Sequence, residues 1–114
     1  MNTHFSNPFT FGAIPRELSE YKKCKVVILP VPYDGTVSYR PGARDGPHAI
    51  IQASRAMELY DEESGRNFAE ELGICTLDEL EVITDPEAMA NRVVEAALPI
   101  VEDGKHLVTL DGVH

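Results

Sequence analysis

The sequence has no tryptophan and only two cysteines, Cys24 and Cys75. Neither belongs to a C-x-x-C pair or has a histidine at ligand spacing. Neither a zinc site nor a disulfide framework is therefore indicated, and two buried free thiols in a reducing cytoplasm are the expectation. No uninterrupted apolar run approaches the roughly 20 residues of a membrane-crossing helix. The first residues, MNTHFSNPFTFGAIPREL, lack the basic-then-apolar order of a secretory signal. These absences predict a soluble, cytoplasmic protein. Positive charge is also scarce: 10 Lys and Arg face 19 Asp and Glu, giving a net charge of −9 and a pI near 4.8. Such a field repels nucleic acid and anionic membranes, so neither is an expected partner. It attracts cations, although an acidic surface also serves solubility alone.

A length of 114 residues with 43% hydrophobic and 25% charged side chains allows one small domain. Residues 1–24 mix Asn7, Pro8, Gly12 and Pro15 with Phe5, Phe9, Phe11 and Ile14. That is poor material for helix or strand, but it carries apolar anchors, so an irregular arm lying over some surface is predicted. Residues 25–114 read as β/α units. Val26 to Leu29 forms an apolar run suited to a strand buried on both faces. Pro30 and Pro32 cannot donate ladder hydrogen bonds, so pairing should end near Leu29 or Val31. A loop shaped by Gly35, Pro41, Gly42 and Gly46 follows, and Pro47 suits the first turn of a helix capped by Asp45 or Gly46. That helix is predicted to reach about Tyr60, with Ile50, Ala53, Met57 and Tyr60 as its buried face.

Further on, residues 61–66 read as a polar break, and Ile74, Leu77, Leu80, Val82 and Ile83 suggest one or two short extended pieces. Asp85 before Pro86, with Glu87 next, marks a second helix start. Met89, Val93, Ala96, Ala97, Ile100 and Val101 supply its apolar stripe, Pro99 should kink or loosen its last turn, and Gly104 reads as the C-cap. His106 to Leu110 is the last strand. Strands alternating with helices predict a parallel α/β sheet of about three strands, with edges left open. Ligands of such sheets sit in the loops beyond the carboxyl ends of the strands, which makes the loop after β-strand 26–29 the first place to look for chemistry.

That loop and its flanks, VPYDGTVSYRPGARDGPHAIIQAS, resemble the amino-terminal signature of the ureohydrolases, the arginase and agmatinase family. ELYDEESG, GICTLDELEV, an acidic helix and a final strand running into LDGVH follow in the family's order, and the whole is most similar to the N-terminal portion of an agmatinase. The resemblance implies the first part of the arginase-like three-layer α/β/α fold and a single, incomplete domain over residues 1–114. It also implies Mn-dependent hydrolysis of a guanidino compound, agmatine giving urea and putrescine, at a centre of two Mn2+ ions. In the closing LDGVH, Gly112 and His114 match the family segment whose histidine is the first metal ligand. Asp111 stands where a glycine is usual and Val113 where an acidic residue is usual. His114 is thus the one metal ligand the resemblance assigns here; an exposed terminal histidine is the alternative. The family's remaining ligands lie in an Asp-Ala-His-x-Asp stretch and a later Asp-x-Asp stretch, and neither pattern occurs in these residues. A truncated or split chain, inactive alone, is the expectation.

Other candidates are weaker. Arg40 and Arg44 precede a helix start and could hold an anion, but the loop matches no phosphate-binding pattern, so bracing the loop or a subunit contact suits them better. His48 reads as a boundary histidine, and His4 and His106 have no partners at metal spacing. Asp34, Asp45 and Asp111 could gather negative charge at the carboxyl end of the sheet, where a guanidinium would approach, although loop aspartates more often close turns. Ser38 lacks a nucleophile-elbow pattern. The expected partners are a small guanidino substrate once the site is completed, and further copies of the chain or a complementing C-terminal chain. A noncatalytic assembly module derived from the family is the rival reading.

Overall fold

A computed structural model of the chain describes residues 9–14, 17, 19–33, 45–55, 60–61, 65–67 and 71–111. Its centre is β1 (Val26–Val31), buried at every position but the first. β1 lies between β4 (Ile74–Thr76) and β5 (His106–Asp111), parallel to both, in the order β4-β1-β5. The fold is the parallel three-strand sheet with helices that the sequence predicts. Pairing with β5 runs the whole length of β1, to Val31 opposite Asp111. It stops there, within the limit expected from Pro30 and Pro32; Pro30 stays in the strand and offers its carbonyl on the β4 side, where Leu80 N donates to it at 3.0 Å.

The period of two sorts β1 onto two cores. Val27, Leu29 and Val31 join Cys24, Cys75, Leu77, Met89 and Ile100 on one face. Ile28 joins Ile14 and Ile74 on the other, with Phe11, Val26, Val108 and Leu110 against them. The first face is covered by α2 (Pro86–Glu102), the second by the 3-10 turn Phe11–Ala13, on which α1 (Gly46–Ser54) packs. Each fully buried leucine or isoleucine in such a core stabilises by about 1.5–3 kcal/mol, which makes the doubly covered β1 the largest apolar contribution per residue.

The arm therefore docks on its own sheet. Phe11 N donates to Thr76 Oγ1 at 2.9 Å, and Gly12 N to the buried Ser54 Oγ at 2.8 Å. Gly12 takes a left-handed φ of 74° there, a conformation that favours glycine. Ser54 Oγ in turn donates to Ile51 O at 2.6 Å, tying the arm to the last turn of α1.

α1 differs from expectation in length and in phase. It ends at Ser54, and Tyr60 lies in a two-residue strand, β2 (Tyr60–Asp61), antiparallel to β3 (Arg66–Asn67). Its buried residues are Pro47, Ile51 and Ser54, while Ile50 is 45% exposed and Ala53 is exposed. The arm explains the shift: Ser54, polar and discounted by a hydrophobic-period reading, is the residue that Gly12 holds down. Met57 lies outside the described residues.

α2 begins as predicted. Asp85 accepts from Ala88 N at 2.9 Å and Pro86 takes the first turn. Met89 and Ile100 are buried, with Val93 and Ala96 beside them, but Val101 is 57% exposed and stands off the stripe. The helix passes through Pro99 to Glu102, since the carbonyl freed by that proline belongs to the exposed Glu95 and can reach water. It closes with Lys105 N to Ile100 O at 3.3 Å and Gly104 N to Val101 O at 2.9 Å, the paired bonds of a Schellman turn, with Gly104 at φ 77°.

Two substitutions check these supports. Ser54→Ala leaves the Gly12 N–H without its buried acceptor and is expected to cost about 1–3 kcal/mol in urea denaturation, with faster proteolysis ahead of β1. A Cβ at Gly104 meets nothing within 4 Å, so Gly104→Ala is expected to cost only the backbone strain, about 1 kcal/mol, and Gly104→Asn less.

Candidate functional site

The carboxyl ends of β1 and β5 stop side by side, and the chain leaving β1 turns at once. Tyr33 N donates to Val31 O at 2.8 Å, a tight reversal that Pro32 favours. The segment after β4 crosses the same end, with Leu77 N donating to Ile28 O at 2.9 Å and Leu80 N reaching Pro30 O. Tyr33 reaches over it to donate from its hydroxyl to Thr84 O at 3.3 Å. α2 then starts beside β1, and Ile83 N donates to Met89 Sδ at 3.3 Å.

Between these elements lies a cleft of about 310 Å3 lined by Val31, Tyr33, Pro86, Met89, Ala90, Val93 and Asp111. Among the described residues its walls are apolar, and Asp111 is the one carboxylate lining it. An apolar trough with a carboxylate at its rim suits an aliphatic cation: methylenes lie against Val31, Met89 and Val93, and an ammonium or guanidinium meets the acid. The exposed Asp111 keeps that attraction modest and screened by salt.

Of the sequence candidates among the described residues, Asp111 lines this cleft and the others do not. Asp45 stands at the N-cap of α1 but its side chain makes no capping hydrogen bond there. His48 is engaged as a ring: it stacks on Phe9 with centroids 4.5 Å apart and 17° between planes, and Arg55 lies 5.2 Å over the same phenyl ring. His106 opens β5, at the end of the sheet remote from Asp111, about 16 Å away along an extended strand. His114, His4, Asp34, Ser38, Arg40 and Arg44 lie outside the described residues. The cleft residues Tyr33, Met89 and Val93 read in sequence only as a loop start and a core stripe. Their one signal was the Val-Pro-Tyr step, which stops a buried strand and turns an aromatic ring back over its end.

Among the described residues no three His, Cys, Asp or Glu side chains converge on a point that could hold a metal ion. These residues by themselves do not fit a two-ion centre. No helix among them is long and apolar enough to cross a membrane.

The sequence profile of the arginase family matches residues 24–114. An N(1)-aminopropylagmatine ureohydrolase of Synechocystis is 38% identical, over 97% of this chain and 39% of that protein. One of Thermus thermophilus is 41% identical over 82% of this chain and 32% of its own length. The chain thus spans about two fifths, or less, of these curated relatives. Among solved structures, the agmatine ureohydrolase of Thermoplasma volcanium superposes with a TM-score of 0.74 at 27% identity, over 92% of this chain and 34% of the other. With a three-strand parallel sheet, a ligand-sized cleft at its carboxyl end and a profile match over most of its length, the chain belongs to the arginase family.

Proposed function

We propose that these residues form the amino-terminal part of a ureohydrolase that cleaves the C–N bond of a linear guanidino compound, releasing urea and an amine. Agmatine, giving putrescine for polyamine synthesis, and its aminopropyl derivative are the substrates that the relatives' names suggest. The observation that carries this reading is the cleft ending in Asp111, three residues ahead of His114, at the carboxyl end of the sheet. In it, Asp111 and the apolar walls bind and orient the aliphatic cation, and Tyr33 and Met89 keep water from its methylenes. Manganese belongs to the same proposal, with His114 as one ligand and the rest supplied from beyond these 114 residues, which contain neither Asp-Ala-His-x-Asp nor Asp-x-Asp. A metal-bound hydroxide needs ions fixed by several carboxylates, and one imidazole cannot supply that.

Pure 114-residue chain loaded with Mn2+ is expected to release no urea from agmatine in a colorimetric assay; measurable turnover overturns the division of ligands. In a longer polypeptide that carries the downstream ligand stretches and is active, Asp111→Asn is expected to raise KM for the cationic substrate up to about fivefold and leave kcat nearly unchanged, since an exposed ion pair contributes about 1 kcal/mol or less. An unchanged KM removes Asp111 from substrate binding.

A second reading, a noncatalytic assembly module, is favoured by a different observation. Among the described residues β5 pairs on one side only, and Val94, Leu98 and Val101 form an exposed apolar stripe on α2. Both readings lead to association, so light scattering on the isolated chain is expected to show oligomers. A clean monomer at high concentration counts against the module.

A further inference from the structure

The α2 wall of the cleft is longer than the binding of one cation requires. Pro86, Met89, Ala90 and Val93 stand at i, i+3, i+4 and i+7 of that helix, a single stripe over its first two turns. Seven residues at about 1.5 Å each make the stripe roughly 10 Å long. Val31 and Tyr33 form the facing wall, and Asp111 stands opposite Val31 at the end of β5. Further along α2 the trough does not continue, because Ala96 and Ile100 pack on the core with Leu107 and bring the helix down onto the sheet. Its length is therefore bounded.

We propose that the trough is a length gauge for the unreacting tail of the substrate, and that Ala90 and Val93 set the tail it prefers. This rests on the ureohydrolase reading for its orientation, with the guanidinium head at Asp111 and the tail along α2. An extended chain advances about 1.2 Å per bond, a third of the roughly 3.6 Å spanned by three backbone bonds, so a tail of about eight atoms covers the stripe and a four-methylene tail about half of it. The substrate class the trough favours is thus a linear guanidine with a long aliphatic tail over one with a short tail.

Most of the walls are fixed in advance. Met89 is buried, with its Sδ accepting from Ile83 N at 3.3 Å, and the Tyr33 hydroxyl is tied to Thr84 O at 3.3 Å. Pro86 is a rigid ring in the first turn. Ala90 differs from these. Its side chain is the smallest in the stripe and it is exposed, so the trough stays open there and any larger side chain takes up space meant for methylenes. Each methylene laid against such walls leaves water, which makes affinity a function of tail length until the stripe ends.

The test titrates the 15N-labelled 114-residue chain with n-alkylguanidinium ions from butyl to decyl, read by amide chemical shifts, and with n-alkylureas as neutral analogues of the same shape. Shifts are expected at Val31, Tyr33, Ala90 and Asp111. The Kd is expected to fall about two- to fourfold per added methylene, up to a tail of about eight atoms and no further. The ureas should show the same cut-off with weaker binding throughout, and Asp111→Asn should narrow the difference between the two series. Ala90→Leu, an exchange of good helix formers at an exposed position, is expected to move the cut-off to a shorter tail and leave the butyl compound unchanged. Val93→Ala moves it to a longer one, so the outcome does not hang on one variant. A Kd indifferent to tail length, a Kd still falling at decyl, a cut-off that neither variant moves, or shifts centred on Val94, Leu98 and Val101 each overturn the gauge. None of these measurements needs turnover. A length cut-off in binding, with no urea released from any guanidine by a longer polypeptide that carries the downstream ligands, leaves the gauge and removes the ureohydrolase reading; turnover without a cut-off does the reverse.

Discussion

The burial of β1 on both faces and along both edges is the constraint from which the other features follow. A strand flanked by β4 and β5 has no solvent-facing side, so every side chain along it must be apolar, and VVILPV supplies this. Two covering layers are then obligatory, one per face. α2 provides the first. The second needs both α1 and the docked arm, because α1 is only nine residues long and presents three buried positions. This is why a proline- and glycine-rich arm, with no regular structure of its own to form, contributes Phe11 and Ile14 to the core.

Parallel pairing also gives the sheet two chemically different ends. Strands that all point one way place every strand exit together, and Val31, Tyr33 and Asp111 meet there with the start of α2. At the opposite end the strand beginnings gather Cys24, Lys105 and Asp103, with Tyr21 laid across them. The amino end is closed by short hydrogen bonds and a cation lodged over a ring. The carboxyl end is left as an apolar trough with a carboxylate. One topology thus produces a tightly satisfied end and a receptive one.

The sequence made legible the features that depend on local chemistry. The Asp85–Pro86 helix start, the Gly104 stop, β1 and the last strand all follow from capping, backbone permissiveness and apolar period. The parts that were not legible depend on contacts between distant segments. The phase of α1 is set by Gly12 binding Ser54, so a polar residue is buried and Ile50 is turned out. At the site, Asp111 was visible as a charge near a strand end, but its partners Met89 and Val93 were indistinguishable from ordinary core. His48 looked like a boundary histidine, and its actual partner, Phe9, came from the arm.

β5 carries the remaining step. HLVTLD has apolar residues pointing to both faces, as β1 does, yet none of them is fully buried. Leu107 helps to cover the α2 face and Val108 and Leu110 the arm face, each from one flank only. A parallel strand with that composition is built to be an interior strand, because side chains apolar on both faces gain little from water on an open flank. The exposed stripe of Val94, Leu98 and Val101 runs along α2, the helix that packs on this same strand. Among the described residues, strand and helix are thus left uncovered on the same side, and at its carboxyl end that side reaches Asp111 and the cleft.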